Sequence, residues 1–100
     1  MIVVNVTVET TEADIAALKP AMATMEKASR AEVGCDDYTY SVELNSPHML
    51  RITERWHSME ALAAHFKTPH MAEFQKVMAQ YPRKSTRAYF YEAEEVNPPG

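Results

Sequence analysis

The order in which strand-like and helix-like patterns follow one another leaves few folds open to this chain. Residues 2–9 are rich in β-branched side chains and are apolar at both odd and even positions, which predicts a strand covered on both faces. Apolar side chains then recur every three or four residues, and this spacing predicts a long amphipathic helix. Thr11 is its expected N-cap, Pro20 predicts a kink within it, and Gly34 is the expected terminator.

Strand-like alternation returns after this helix. Residues 35–44 carry apolar and aromatic side chains on one face and polar ones on the other, which predicts a half-buried strand. The turn-forming residues 45–48 follow, and residues 49–57 alternate again. The two segments are therefore predicted to form a β-hairpin.

The rest of the chain adds two helical segments and a strand. Ser58 and Thr68 are the expected N-caps, Pro82 is expected to end the second segment, and residues 86–94 predict the last strand. The order strand, helix, strand, strand, helix, strand is that of the ferredoxin-like α+β fold, in which a four-stranded antiparallel sheet carries its helices on one face. Residues 1–100 are predicted to form one domain, with a flexible tail over residues 95–100.

A sheet with helices on one face leaves its other face uncovered. Because the strand patterns are apolar or aromatic on both faces, the simplest arrangement is a homodimer in which two copies close sheet against sheet into a dimeric α/β barrel. A chain of 100 residues is also small enough to gain stability from a partner.

Charge and composition exclude several classes of function. The formal net charge is -4, and the ten Lys and Arg residues form no basic stripe, so a nucleic-acid partner is not expected. No apolar run is long enough to span a bilayer, the amino terminus resembles no targeting segment, and the single cysteine, Cys35, forms no internal disulfide. We therefore expect a cytoplasmic protein that does not associate with membranes.

Metal and nucleotide cofactors are not expected either. The four histidines, His48, His57, His65 and His70, include no pair with the i, i+4 spacing of a helical metal site. Apart from the carboxyl-terminal residue, Gly34 is the only glycine, so the chain has no glycine-rich phosphate loop.

Three residues in the second half are candidates for the catalytic site, two of them for acid–base chemistry and one for stacking. Glu54 is a carboxyl in an otherwise apolar row that includes Trp56, so burial is expected to raise its pKa; an ion pair with a lysine or arginine is the alternative. His65 is a candidate general base on the helix side expected to face the sheet, with simple packing as the alternative. Trp56 is either a wall on which a flat substrate stacks or a core residue.

Four further residues are candidates for substrate contacts. Tyr38 is expected to donate a hydroxyl hydrogen bond into a pocket, although tyrosines on alternating strands are usually packed in a core. His70 lies in the first turn of the restarted helix, where it is either a ligand for an anion or an exposed histidine. Phe74 belongs to an apolar stripe of that helix, and Asn5 is a lone amide in a valine-rich strand that needs partners if buried.

The middle of the chain resembles the antibiotic-biosynthesis-monooxygenase family in the order and spacing of its residues. The resemblance covers nearly half of the chain and consists of the following residues: Glu32, Gly34, Cys35, Tyr38, Glu54-Arg55-Trp56, Leu62, His65, Thr68-Pro69-His70 and Phe74.

This resemblance implies a homodimer with a pocket between the sheet and the helices, and oxygenation of a quinol or polyphenol without metal or flavin. Molecular oxygen would be the co-substrate, with His65 as base, Glu54 as its partner and Trp56 as the stacking wall. In a heme-degrading branch that shares the domain, Asn5, Trp56 and His65 would form the catalytic set.

The same residues leave two more functions open. One is an isomerase of a phosphorylated hydroxyketone or dione, in which His65 and Glu54 would move protons and Arg51, Arg55 or Lys67 would lie near the phosphate. The second is a non-catalytic module that binds heme or a small aromatic molecule.

Overall fold

The computed structural model describes residues 1–100 and has the predicted order of elements. Four strands form one antiparallel sheet in the order β2-β3-β1-β4, which is the ferredoxin-like topology. The elements are β1 (Ile2–Glu9), α1 (Glu12–Arg30), β2 (Cys35–Glu43), β3 (Ser46–Trp56), α2 (Met59–His65), α3 (Pro69–Met78) and β4 (Ser85–Glu92).

The register of the central strand β1 decides which side chains meet the helices. Val4 pairs with Glu54 of β3 on one side and with Phe90 of β4 on the other, so the even-numbered residues of these strands share a face. The core lies on this face, where Val4 packs with Met25 of α1 and Leu62 of α2. All three helices therefore cover the same side of the sheet.

Helix α1 begins at its predicted cap. The Thr11 hydroxyl accepts a hydrogen bond from the backbone N–H of Asp14 at 3.1 Å. The helix continues through Pro20 to Arg30 without interruption and buries Leu18 among other residues. None of the three helices combines the length and the apolar character of a membrane span.

The hairpin between β2 and β3 is tighter than the sequence predicts. Only Leu44 and Asn45 form the turn, and β3 begins at Ser46, so the expected four-residue turn is wrong. Pro47 is tolerated inside β3 because β1 pairs with β3 only from Met49 onward, so the missing N–H breaks no bond to β1.

Helix α3 ends earlier than predicted. Its last residue is Met78, whereas Pro82 was the expected end. The backbone N–H of Tyr81 still bonds to the Met78 carbonyl at 3.0 Å, as a turn, before Lys84 N–H bonds to the Glu9 carbonyl at 2.9 Å and starts β4. Pro82 disfavours helical geometry at the residue before it, Tyr81, so the helix does not continue to Pro82.

The face of the sheet without helices is more polar than predicted. On β1 it carries Asn5, which is exposed, and Thr7, and on β3 it carries Arg51, Thr53 and Arg55. The expectation of apolar side chains on both faces is therefore wrong for the two central strands. The pattern misled because Val3 and Val4 are equally apolar, and only strand pairing shows which of them faces the helices.

Gly34 provides a test of how closely β2 approaches α2. Its φ is +85°, and a Cβ at this position would lie 2.7 Å from the Cβ of Ala61. We predict that Gly34→Ala lowers the free energy of unfolding by at least about 1–2 kcal/mol, the cost of left-handed backbone alone. Urea unfolding measures this.

Gly100→Ala is the matched control, since Gly100 also has a positive φ but no atom lies within 4 Å of its added Cβ. Equal stability of Gly34→Ala and the unaltered protein would show that the turn does not need glycine.

Candidate active site

An apolar cavity of about 250 Å³ lies between the sheet and helix α3. Its polar groups are few, and this combination is typical of sites that bind small molecules. The lining residues are Val4, Val6, Val8, Tyr38, Ile52, Glu54, Phe66, Met71, Phe74, Gln75, Met78, Arg83, Thr86, Ala88 and Phe90.

Glu54 is the buried carboxyl of this cavity. Strand alternation turns it toward the helices, its residue is only 7% exposed, and its Oε1 accepts a hydrogen bond from the Trp56 indole N–H at 2.9 Å. Burial raises the pKa of Glu54 above its usual value; the hydrogen bond from Trp56 and the nearby His65 imidazole lower this pKa, and the Glu32 carboxylate raises it. The prediction that Glu54 is buried is confirmed. The alternative of an ion pair with a lysine or arginine is wrong, because the partner of Glu54 is Trp56.

Tyr38 contributes a phenolic hydroxyl near Glu54. It stands opposite Glu54 in the β2–β3 register, and its hydroxyl is within 3.1 Å of the Tyr40 hydroxyl. Burial raises the pKa of Tyr38 well above its usual value. The hydroxyl therefore stays protonated at neutral pH and is able to donate a hydrogen bond.

His65 lies behind the cavity rather than on its wall. It is 0% exposed and is not a lining residue. Its ring packs against Trp56 and Tyr38, with centroids 4.7 and 5.3 Å away. Nδ1 is 2.6 Å from Oε2 of Glu32 and donates to that carboxylate, while Nε2 is buried and has no hydrogen-bond partner. The partner of His65 is therefore Glu32, not Glu54 as predicted.

Trp56 also lies behind the cavity. It is 0% exposed and does not line the cavity, so it offers no surface on which a substrate could stack. Its placement matches the core packing that the sequence left open for it, together with one polar contact to Glu54. The aromatic residues that do line the cavity are Tyr38, Phe66, Phe74 and Phe90.

The remaining candidates are dispersed. Phe74 lines the cavity as expected, but Asn5 is exposed on the helix-free face and is not brought together with Trp56 or His65. His70 instead lines a second groove between α1 and α3, and its Nε2 donates to Oε2 of Glu32 at 2.7 Å.

The cations expected near a phosphate are also away from the cavity. Arg51 and Arg55 point to the helix-free face, where Arg51 pairs with Glu43 at 3.3 Å, and Lys67 is not a lining residue. The only cationic side chain at the cavity is Arg83.

The profile of the antibiotic biosynthesis monooxygenase family matches residues 1–77. The chain belongs to this family. The resemblance found in the sequence is therefore confirmed, and the family is one named for monooxygenases. Comparison with curated proteins gives no match.

Solved structures of family members and other proteins share this fold over nearly their whole length. A protein from Deinococcus radiodurans, described as a "putative antibiotic biosynthesis monooxygenase", is 26% identical, with a TM-score of 0.89 and full coverage of both chains. A protein from Nitrosomonas europaea with the same description is 19% identical, with a TM-score of 0.85 and coverage of 93% of this chain and 98% of its own. Rv0793 from Mycobacterium tuberculosis is 20% identical, with a TM-score of 0.83 and coverage of 97% and 98%.

Two residues near the site, Glu32 and Arg83, are not identified by any sequence pattern of their own. Glu32 stands out only as part of the family pattern, and its contact with His65 joins residues 33 positions apart, which no local pattern reveals. Arg83 lies in the irregular segment before β4, where its direction is set by the chain path. Cys35, by contrast, is not a reactive group, because burial and the nearby Glu32 carboxylate raise the pKa of its thiol to about 11.

The raised pKa of Glu54 predicts a pH dependence of stability. An unfolded glutamate loses its proton near pH 4.3, at about its usual pKa, whereas native Glu54 retains the proton to higher pH. Between the unfolded and the native pKa of Glu54, the native state binds more protons than the unfolded state. The contribution of Glu54 to stability therefore falls as pH rises through this range, until its native pKa is passed. We predict that Glu54→Gln, which can still accept from Trp56, removes this fall.

Urea unfolding across pH, with the exposed Glu60→Gln as control, measures the effect. The idea fails if Glu54→Gln and Glu60→Gln show the same pH dependence.

Proposed function

We propose that this protein is a cofactor-independent monooxygenase that oxidises a small quinol or other polyphenol-type aromatic with molecular oxygen. The observation that supports this most is Glu54, a carboxyl with a raised pKa at the wall of an apolar, aromatic-lined cavity. A family named for monooxygenases supplies the reaction class.

The cavity suits a small, flat substrate. About 250 Å³ accommodates a compact aromatic molecule, and the rings of Phe66, Phe74 and Phe90 offer it apolar contacts. Tyr38, Gln75, Arg83 and Thr86 are the lining residues able to donate hydrogen bonds to an oxygen of the ring, and Arg83 adds a positive charge. A phenolate formed in this cavity would therefore be stabilised.

The chemistry begins with removal of a proton. Glu54 as carboxylate takes the proton of a ring hydroxyl, and its raised pKa brings its basicity closer to what neutral pH requires. The electron-rich phenolate then reduces dioxygen, one oxygen atom becomes bonded to a ring carbon, and the other leaves as water. The substrate loses two hydrogens and gains one oxygen atom, so atoms and electrons balance without a further reductant.

His65 and Trp56 act as positioning residues in this mechanism. Trp56 donates to Glu54, and the His65 imidazole lowers the pKa of that carboxyl from the far side. The base is assigned to Glu54 rather than to His65 because Glu54 lines the cavity and His65 does not.

The heme-dependent and isomerase functions have less support. A tetrapyrrole is larger than a cavity of about 250 Å³. An axial role for His65 would also require a histidine at the cavity wall. The phosphate of the isomerase substrate would have to be bound by Arg83 alone, because the cations expected from the sequence do not reach the cavity.

We predict oxygen consumption by metal-free protein supplied with a panel of hydroquinones and catechols, followed with an oxygen electrode. Glu54→Gln should lower the rate by about 10²–10⁴-fold, the usual contribution of a general base. Glu60→Gln, an exposed glutamate on α2, is the control and should keep the rate.

Trp56→Phe tests the positioning role separately. It removes the hydrogen bond that lowers the pKa of Glu54, so the acidic limb of the pH–rate profile should move to higher pH. Normal turnover by Glu54→Gln would refute the assignment of the base, and no uptake with any substrate would refute the proposed reaction.

We also propose that the protein functions as a homodimer. All eight residues of β4 are exposed in the single chain, and Tyr89 and Tyr91 place large rings on the helix-free face, which also carries the Arg51–Glu43 ion pair. A second copy would cover these rings. We predict the mass of a dimer in light scattering after size exclusion, and of a monomer for Tyr89→Asp/Tyr91→Asp; a monomeric unaltered protein would contradict this.

A further inference from the structure

Three side chains behind the cavity form a donor set that the proposed reaction does not use as ligands. The Oε2 atom of Glu32, Nδ1 of His65 and Nε2 of His70 all lie within 4.8 Å of one another. None of the three residues lines the cavity that contains Glu54. The set belongs to a different place in the fold, where the end of α1 meets the junction of α2 and α3.

We propose that Glu32, His65 and His70 form a binding site for a divalent first-row transition-metal ion, with Zn²⁺ as the ion it binds best among those that are not redox-active. This inference does not rest on the proposed function. The sequence argued against a metal because no two histidines have i, i+4 spacing. The structure brings two histidines together by another route, since His65 ends α2 and His70 lies near the start of α3.

The donor types select the ion. Two imidazole nitrogens and one carboxylate oxygen suit zinc and its neighbours in the first row, whereas magnesium and calcium prefer oxygen ligands throughout. Three protein ligands of these types leave further coordination positions of the ion open to water.

The geometry needs only a small adjustment. Glu32 Oε2 is 2.6 Å from His65 Nδ1 and 2.7 Å from His70 Nε2, as hydrogen bonds require. Ligands about 2.0–2.1 Å from a tetrahedral ion are roughly 3.3 Å apart, so each of these two pairs must separate by less than about 1 Å. The two imidazole nitrogens are no more than 4.8 Å apart, so they must approach each other by no more than about 1.5 Å. The ion replaces the two imidazole protons that now point at the carboxylate.

The backbone holds the donors in place before any ion binds. Residues 66–68 are the whole connection between α2 and α3, and the Thr68 hydroxyl donates to the His65 carbonyl at 2.8 Å. Glu32 lies in the turn after α1, where its N–H bonds to Ser29 and its carbonyl accepts from Cys35. A site whose ligands are already fixed loses little conformational entropy on binding.

The surroundings of His65 and His70 also fit a metal site. With Nδ1 bound to an ion, the proton of His65 is on Nε2, which has no hydrogen-bond partner now. The Glu54 carboxylate interacts electrostatically with His65 from the cavity side, without a hydrogen bond between them, and its negative charge favours a cation bound at His65. On the other side, His70 lines a groove of about 340 Å³ between α1 and α3, which gives an ion access from solvent.

Calorimetric titration of chelator-treated protein with ZnCl₂, checked by the zinc retained after gel filtration, tests the site. We expect one zinc per chain, and His70→Ala, which removes the partly exposed ligand, should weaken binding by more than about 100-fold, beyond the usual loss for an outer-shell partner. Glu32→Gln should also weaken it. CoCl₂ should give visible absorption bands with the unaltered protein that these variants lack.

His57→Ala is the matched control. His57 is also a histidine bonded to a carboxylate, at 2.8 Å from Oδ1 of Asp36, but this pair is exposed and has no third donor. Zinc binding should be unchanged in this variant. The proposal is overturned if the unaltered protein binds no zinc, if His70→Ala and Glu32→Gln bind it as tightly as the unaltered protein, or if His57→Ala loses it. All of these measurements are made without a quinol, so they are independent of the oxygenase assay.

Discussion

One carboxylate oxygen organises the helical layer of this protein. Oε2 of Glu32 accepts hydrogen bonds from His65 at 2.6 Å and from His70 at 2.7 Å, and these three residues lie in the turn after α1, at the end of α2 and at the start of α3. Hydrogen bonds to an ionised acceptor are stronger than neutral ones, particularly where water is excluded. The position of α2 and α3 over the sheet, and with it the shape of the cavity, depends on this junction.

Glu32, which is partly buried, and Glu54, which is buried, show how the environment gives two glutamates different roles. Glu32 accepts hydrogen bonds from two imidazoles at Oε2, and it holds the helices together. Glu54 accepts one hydrogen bond, from Trp56, and otherwise faces an apolar cavity. Its proton affinity is thus raised by burial while part of its acceptor capacity remains available to a ligand. The reaction proposed for the site needs that combination at Glu54 and no other carboxyl offers it.

The elements that sequence patterns predicted correctly are those that depend on local interactions. Thr11, Ser58 and Thr68 cap their helices with their own hydroxyls, and the inward direction of Glu54 follows from strand alternation. The hairpin turn was placed too late because Ser46 and Pro47 are turn-forming residues that here lie within a strand. Local preference was overridden by the pairing of β3 with β2.

The roles inside the site could not be predicted in the same way. Whether His65 and Trp56 line the cavity or stand behind it depends on how deeply α2 packs on the sheet, which is a tertiary property. Asn5 was assigned to the site because β1 is apolar at both odd and even positions. Its pairing with Thr53 and Tyr89 places it on the face away from the helices, which the sequence of β1 alone does not reveal. The contact of Glu32 with two histidines spans more than thirty residues and leaves no trace in any local pattern.

The cavity has one firm wall and one adaptable wall. Behind Glu54 stand Trp56 and His65, both 0% exposed, whereas α3 buries no residue fully and every residue of β4 is exposed. Substitutions at the cavity side of β4, such as at Phe90, therefore meet few packing constraints within the chain, while substitutions behind Glu54 disturb the core. A change in the shape of the binding cavity is thus expected to need the fewest compensating substitutions at its β4 side, where it leaves the core behind Glu54 intact.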